Sequence, residues 1–258
     1  MTIPAMTTSA MSMDTRRALI TGGGSGVGAD MARGFAAAGA QVVIVGRRRE
    51  PLDVVASGDP RITALVGDVT DEADVTRVFA QAGPVDIVIA NAGGAESAPL
   101  VRTGLDLWQQ MLAVNLTGAF LTLREGLRQM DGRPWGRLIT IASTAGLKGY
   151  AYVSAYTAAK HGAVGLTRAI ALEVARTGIT ANALCPGYLD TEMTERTIAN
   201  IVETTGRSQA DALKALTRVN PQGRLIEPAE VTAAALWLCG PGSDAINGQA
   251  IAIAGGEL

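Results

Sequence analysis

The sequence predicts an α/β domain, a doubly wound seven-stranded parallel sheet with helices packed on both faces. Three observations predict it. Short apolar runs alternate with longer amphipathic stretches from Arg17 to Ala254, the rhythm of successive βαβ units. The apolar runs lack the polar alternation of a half-solvated strand, as expected when both faces of the sheet are covered. No Pro/Ser-rich linker, charge run or short internal repeat divides the chain, so one core is expected to serve a single domain over residues 16–258.

Taken in order, the first expected strand (18–21) runs straight into the turn Thr21-Gly22-Gly23-Gly24-Ser25-Gly26-Val27-Gly28, and a helix pattern (27–38) begins at once. The second strand (41–46) ends in Arg47-Arg48-Arg49, and the third (62–66) precedes a helix over 73–82. The fourth (86–91) leads through Asn91-Ala92-Gly93 towards a long helical pattern over 105–130. The fifth (137–143) ends on Ser143, followed by a helix over 154–176; the sixth (180–185) stops before Pro186-Gly187. Pro228 marks the start of a helix over 229–238, as the first turn of a helix accepts proline, and the seventh strand covers 249–254. Between the sixth strand and that helix lies a long excursion, 187–224, with helical patterns at 191–202 and 208–217. It follows a strand's carboxyl end, where doubly wound sheets bind ligands, and so reads as a substrate lid; a purely structural excursion fits the same pattern.

The bulk properties narrow the partners. With 258 residues, 48% hydrophobic and 18% charged, the chain suits a soluble globular protein. A formal net charge of -2 provides no basic field to gather nucleic acid or an anionic membrane, and no uninterrupted apolar stretch reaches the length of a membrane span. A small-molecule partner is expected. Residues 1–15 carry neither a basic start nor an apolar run long enough for a signal peptide, and read as a disordered tail on a cytoplasmic protein. The two cysteines, Cys185 and Cys239, show no pairing or ligand spacing, and His161 is the single histidine, so neither disulfide nor metal site is expected.

The glycine-rich turn is the first feature with chemical content. Glycines at Gly22, Gly24, Gly26 and Gly28 allow a sharp turn, close approach of a pyrophosphate and tight packing of helix on sheet, while Ser25 and Val27 lie where the helix offers unpaired N–H groups and its positive dipole end. The strand-turn-helix context is what this motif requires. At the end of the second strand an acidic residue would hold a ribose 2'-hydroxyl, whereas an arginine accommodates a 2'-phosphate. Arg47, with Arg48 beside it, therefore points to NADP(H) over NAD(H), although a solvated basic turn would look the same.

Tyr156 and Lys160 stand four apart on one helical pattern and so share a face. A free phenol has a pKa near 10, so acid/base work around neutrality needs the phenolate stabilised, which a nearby ammonium does. Ser143 can hydrogen bond to the reacting oxygen. The spacing alone is common in helices; its meaning comes from the company it keeps. His161 points to a different face from Lys160, and Cys185 reads as a small buried hydrophobe.

From Arg17 to Gly256 the chain resembles the short-chain dehydrogenase/reductase family, the single-domain Rossmann enzymes. Its motifs occur in the family's order: Thr21-Gly22-x-x-x-Gly26-x-Gly28, Asp68-Val69, Asn91-Ala92-Gly93, Asn115, Ser143, Tyr156-x-x-x-Lys160, and Pro186-Gly187 with Thr191. The resemblance implies that Asp68 and Val69 contact adenine, that Asn91, Ala92 and Gly93 help hold the cofactor, and that Pro186, Gly187 and Thr191 meet the nicotinamide end. It also implies a catalytic tetrad of Asn115, Ser143, Tyr156 and Lys160, in which Asn115 and Lys160 anchor a water chain that replenishes the tyrosine proton. Two departures are visible: Ala90 stands where the family has a second asparagine, and Ala254 where an aspartate is frequent.

The stretches 141–146, 160–165 and 175–180 look like those of ketoreductases of aromatic polyketide synthesis and of 3-oxoacyl thioester reductases, which suggests NADPH-dependent reduction of a ketone. An NAD-linked dehydrogenase oxidising a secondary alcohol fits the same residues. A catalytically silent nucleotide-binding regulator would fit a broken tetrad, and all four residues are present. The long helices 105–130 and 154–176 carry more Ala, Leu and Val than one sheet-facing side needs; members of the family commonly pair these helices between subunits, so the resemblance implies a homotetramer, while the surplus could also cover a monomer's core.

Overall fold

The computed structural model describes residues 13–258. Seven strands, β1 (Arg17–Thr21), β2 (Gln41–Gly46), β3 (Ile62–Val66), β4 (Ile87–Ala90), β5 (Gly136–Ile141), β6 (Ile179–Pro186) and β7 (Ala250–Ile253), form one sheet in the order β3-β2-β1-β4-β5-β6-β7. Every pairing is parallel, and the chain reverses its direction of travel across the sheet between β1 and β4. A crevice opens above the carboxyl ends of strands at such a switch point.

Side chains alternate along the strands between two apolar layers. Ala18 and Ile20, Val42 and Ile44, and Ile87 and Ile89 join one layer with α1 (Gly26–Ala37), α2 (Arg49–Ala56) and α9 (Pro228–Cys239). Leu19, Val43, Val45, Val88 and Ala90 enter the other, with α3 (Glu72–Ala82), α5 (Gly118–Met130) and α6 (Ser154–Glu173). Both products of the period-2 alternation are apolar because both faces are covered, as the unbroken apolar runs require. At the opposite end from the crevice, buried Arg137 on β5 donates to Leu238 O, Gly136 O and Gly178 O and pairs with Asp244 at 2.6 Å, capping the end of α9.

Three expectations need correction. No helix was expected between the second and third strands, where α2 forms: its Pro51 sits in the first turn, where the missing N–H costs nothing, and only Leu52 and Val55 bury to hold it. The long pattern over 105–130 is not one α-helix, because α4 (Leu105–Leu112) and α5 are joined by a π turn, Ala113–Thr117. Of the tail expected over residues 1–15, residues 1–12 lie outside the described residues, but Met13 is buried in the α1/α9 layer and its N–H donates to Ala38 O. The excursion after β6 folds as α7 (Glu192–Thr205) and α8 (Gln209–Thr217), close to the two helical patterns expected there.

Candidate active site

The β1 turn is shaped by its glycines. Gly22 and Gly26 take positive φ, +68° and +51°, and a Cβ at Gly28 would lie 2.2 Å from Gly22 O, so a side chain there is impossible. Ser25 precedes α1 without capping it, and no acidic residue occupies the first helical turn. The N–H groups and dipole of α1 thus face the crevice uncompensated, which fits a pyrophosphate. Val27 is buried beneath the turn, and Gly24 lies against Pro51 at the start of α2.

Asn91 does not simply project towards a ligand. Its Nδ2 donates to Thr21 O and Gly22 O, while the N–H groups of Asn91 and Ala92 donate to Thr21 Oγ1. Thr21 and Asn91 therefore rivet the tops of β1 and β4 together and set the shape of the glycine turn. Asp68 accepts from the N–H and hydroxyl of Thr70, and Val69 is buried against Gly118; both follow the carboxyl end of β3. Arg47 and Arg48 are exposed at the end of β2.

Gly187 N–H donates to Ile253 O at the tip of β6, beside buried Pro186, and Thr191 opens α7 where its Cγ2 would meet a side chain at Gly26 at 3.4 Å. The start of the excursion thus faces the glycine turn across the crevice.

The four expected tetrad residues converge at the ends of β5 and α6. Ser143 has extended backbone (φ -176°) and its Oγ accepts from Ala145 N–H at 3.1 Å. That leaves its proton free to donate. Tyr156 lies in the first turn of α6, and Lys160 Nζ sits 5.6 Å from the centre of its ring. Lys160 is buried, donates one hydrogen to Ile141 O at 2.9 Å, and keeps two for other partners. Burial pulls the Lys160 ammonium down from 10.5 to about 8. It pushes the Tyr156 phenol up, and hydrogen bonding to Ser143 partly offsets that rise.

Asn115 sits in the π turn, buried. Its Nδ2 donates to Gly94 O at 2.9 Å and Met111 O at 3.0 Å, and its Oδ1 accepts from Gly94 N–H. The carboxamide braces the backbone just beyond Asn91-Ala92-Gly93 from both sides. A Cβ at Gly93 would lie 2.7 Å from Asn115 Oδ1 and 3.6 Å from Lys160 Nζ, so the lack of a side chain there lets both residues approach the same point of the backbone. The constellation can hold a proton on the phenol, a cation beside it, and a hydroxyl donor across from both.

Sequence reasoning passed over Thr21 as a site residue, although a threonine closing a strand before a glycine run is a readable signal. It also missed Gly94 and Ile141, which act through backbone atoms that no residue type announces. Tyr150, Tyr188, Lys148 and Glu257, gathered near Ser143, carry no sequence signal beyond the position of Tyr188 directly after Pro186-Gly187. Cys185 and Cys239 are free and buried, and burial raises their thiols to about 11 and about 12. His161 is exposed, with Nδ1 3.0 Å from Thr157 O. Among the described residues no helix is long and apolar enough to cross a membrane.

Residues 16–201 match the family model for short chain dehydrogenase. The chain is 34% identical to a D-beta-hydroxybutyrate dehydrogenase of Rhizobium meliloti, covering 94% of this chain and 98% of the relative. It is also 34% identical to the 3-oxoacyl-[acyl-carrier-protein] reductase MabA of Mycobacterium avium, over 94% and 89% of the two chains. A crystal structure of an actinorhodin polyketide ketoreductase variant with NADPH superposes with a TM-score of 0.89 at 34% identity, covering 96% of this chain and 99% of that one. With this agreement in sequence and architecture, the chain belongs to the short-chain dehydrogenase/reductase family of NAD(P)-dependent oxidoreductases acting on CH–OH and ketone groups.

Proposed function

We propose that the protein reduces a ketone, of the 3-oxoacyl thioester kind or a related carbonyl, to a secondary alcohol at the expense of NADPH. The observation that carries this is the convergence of Ser143, Tyr156 and Lys160 at the strand ends beside the phosphate cradle. The names of the relatives support the substrate class.

The pyrophosphate would rest on Gly22, Gly24, Ser25, Gly26, Val27 and Gly28, with Asp68, Val69, Asn91, Ala92 and Gly93 along the adenosine and ribose and Pro186, Gly187 and Thr191 towards the nicotinamide. When bound, the cofactor supplies the hydride. Ser143 donates a hydrogen bond to the carbonyl oxygen, concentrating positive potential where negative charge grows. Tyr156, kept protonated by burial, gives its proton to that oxygen. Lys160 stabilises the phenolate left behind, and its remaining hydrogens would help hold the cofactor when it is bound. A water between Asn115 and Lys160 returns the proton to Tyr156. Helices α7 and α8 close over the substrate as a lid.

Arg47 and Arg48 provide the charge for a 2'-phosphate. Following NADPH absorbance over simple ketones, cyclic diketones and acetoacetyl thioesters tests both halves of the reading. We expect turnover with a thioester or diketone and a preference for NADPH. Arg47→Asp should lower kcat/KM with NADPH by about 10- to 100-fold, the worth of a charge-assisted hydrogen bond, and leave NADH use unchanged or improved. Equal or better use of NADH by the unaltered protein would overturn the NADPH assignment. The likeness to a D-beta-hydroxybutyrate dehydrogenase favours a second reading, oxidation of a secondary alcohol with NAD, which the same cofactor comparison separates.

We also propose a homotetramer built on the apolar side chains that α4, α5 and α6 leave exposed, Leu105, Trp108, Phe120 and Leu172. Light scattering should return four times the chain mass, and a monomer would reject it. The two free, buried cysteines suit the reducing cytoplasm, the compartment we propose.

A further inference from the structure

Beyond the four residues Asn115, Ser143, Tyr156 and Lys160, a second polar cluster reaches Thr144, the neighbour of Ser143, and its centre is Glu257. After β7 the chain turns through Gly255 and Gly256, with φ of +59° and +95°. A Cβ at Gly255 would lie 2.0 Å from Asn220 Oδ1, so only glycine lets this turn pack against the end of the α7–α8 excursion. The turn sends the Glu257 side chain inward, where only 2% of it remains exposed.

The buried carboxylate is not left alone. Lys148 Nζ stands 3.0 Å from Oε1, and the Tyr150 hydroxyl donates to the same oxygen. The Tyr150 oxygen is also 2.7 Å from Thr144 Oγ1. A carboxylate only accepts, so the Tyr150 proton goes to Glu257 and the Thr144 hydroxyl supplies the hydrogen of the other bond. The result is a directed chain from Thr144 through Tyr150 to Glu257. Thr144 follows Ser143 immediately and is buried. Tyr188, after the tip of β6, packs edge-on against Tyr150 at 6.5 Å and closes the cluster on the other side.

We propose that Glu257 is a positioning residue for the reaction: seated against Tyr150 and Lys148, it fixes the loop over residues 144–150 and thereby the orientation of the adjacent Ser143 hydroxyl. The inference rests on the reading of Ser143 as the group that polarises the ketone. A hydroxyl misplaced by a fraction of an ångström loses transition-state stabilisation, while the glycine turn that would hold the pyrophosphate stands apart on β1 and keeps most of the cofactor's grip.

The test compares Glu257→Ala, Glu257→Gln, Tyr150→Phe and the Glu257→Ala/Tyr150→Phe double variant, with Ser143→Ala as reference. It measures kcat and KM for an acetoacetyl thioester, NADPH Kd by fluorescence titration, and Tm. Glu257→Ala is expected to lower kcat by about 10- to 30-fold with NADPH Kd within about 2-fold of the unaltered protein. Glu257→Gln, which still accepts from Tyr150, should restore kcat to within about 3-fold, and the double variant should be no worse than either single one, because all act along one chain of bonds. An unaltered kcat in Glu257→Ala overturns the proposal. So does a loss that follows NADPH affinity or Tm and is not restored by Glu257→Gln, and so does a double variant in which the two losses multiply. If Ser143→Ala keeps full turnover, the reading of the site itself fails; if Ser143→Ala is inactive and Glu257→Ala is not impaired, only the positioning role fails.

Discussion

Tyr156→Phe is expected to lose about a thousandfold in kcat for ketone reduction, within the range a well-placed general acid contributes, while NADPH Kd stays within about 2-fold. The substitution removes one oxygen and leaves the ring, so the packing of α6 on the sheet and the glycine turn after β1 are untouched. The alkoxide formed by hydride delivery would then draw its proton from Ser143 or from water, neither of which combines, as the phenol does, a place at the reacting oxygen with a cation to stabilise the base left behind. Because burial keeps the Tyr156 phenol protonated and Ser143 only partly offsets this, the unaltered protein holds the donor ready across the neutral range. Stopped-flow reduction under single-turnover conditions checks it. A Tyr156→Phe protein with full turnover would remove Tyr156 from the chemistry.

Lys160→Met is expected to lose activity by about a hundredfold or more and, in the protein without cofactor, to gain stability. The sign follows from linkage. Burial lowers the Lys160 ammonium from 10.5 to about 8, so the unfolded chain holds this proton more tightly than the folded one. Keeping the charge in the folded state costs about 3 kcal/mol below pH 8. The cost shrinks as pH rises from 8 towards 10.5 and vanishes above that. Methionine removes the charge but forfeits the bond to Ile141 O, worth about 1 kcal/mol, so a net gain of about 2 kcal/mol is expected at pH 7. By Tm this is about 4 to 8 °C, closing as the buffer is made alkaline. The same titration should make kcat/KM of the unaltered protein fall above about pH 8, as Lys160 loses the charge that supports Tyr156. A Lys160→Met protein less stable at pH 7, with no alkaline fall in the parent, would contradict the assignment.

The sheet was legible because its central strands β1, β2 and β4 are apolar runs whose alternate residues enter two buried layers, leaving no polar face to confuse the period. The glycine turn, Ser143 and the Tyr156/Lys160 pair were legible because their chemistry depends on residue type at short spacing. What the sequence hides is of two kinds. Helix α2 has Arg49-Glu50-Pro51 as its first turn and buries only two side chains, so its local signal is that of a charged loop and tertiary contact decides it. Glu257 and Tyr150 are 107 positions apart, and their meeting depends on β5, β6 and β7 lying side by side, which no local pattern encodes. The bracing of Gly94 by Asn115 is hidden for a third reason: its partner is a peptide group, identical at every position.

The π turn at Ala113–Thr117 also governs how the long helical segment is used. An α-helix advances about 100° per residue, so holding one surplus residue rotates everything after the turn by about that angle relative to everything before it. The apolar stripe of α4 and that of α5 are consequently out of phase. The first half leans on α6, and the second lies over β4, β5 and α3. A rod with one continuous stripe could satisfy one of these neighbours and would turn charge towards the other. The single added residue therefore works as a phase shifter, letting one segment seat two layers of the domain while its midpoint presents Asn115 to Gly94.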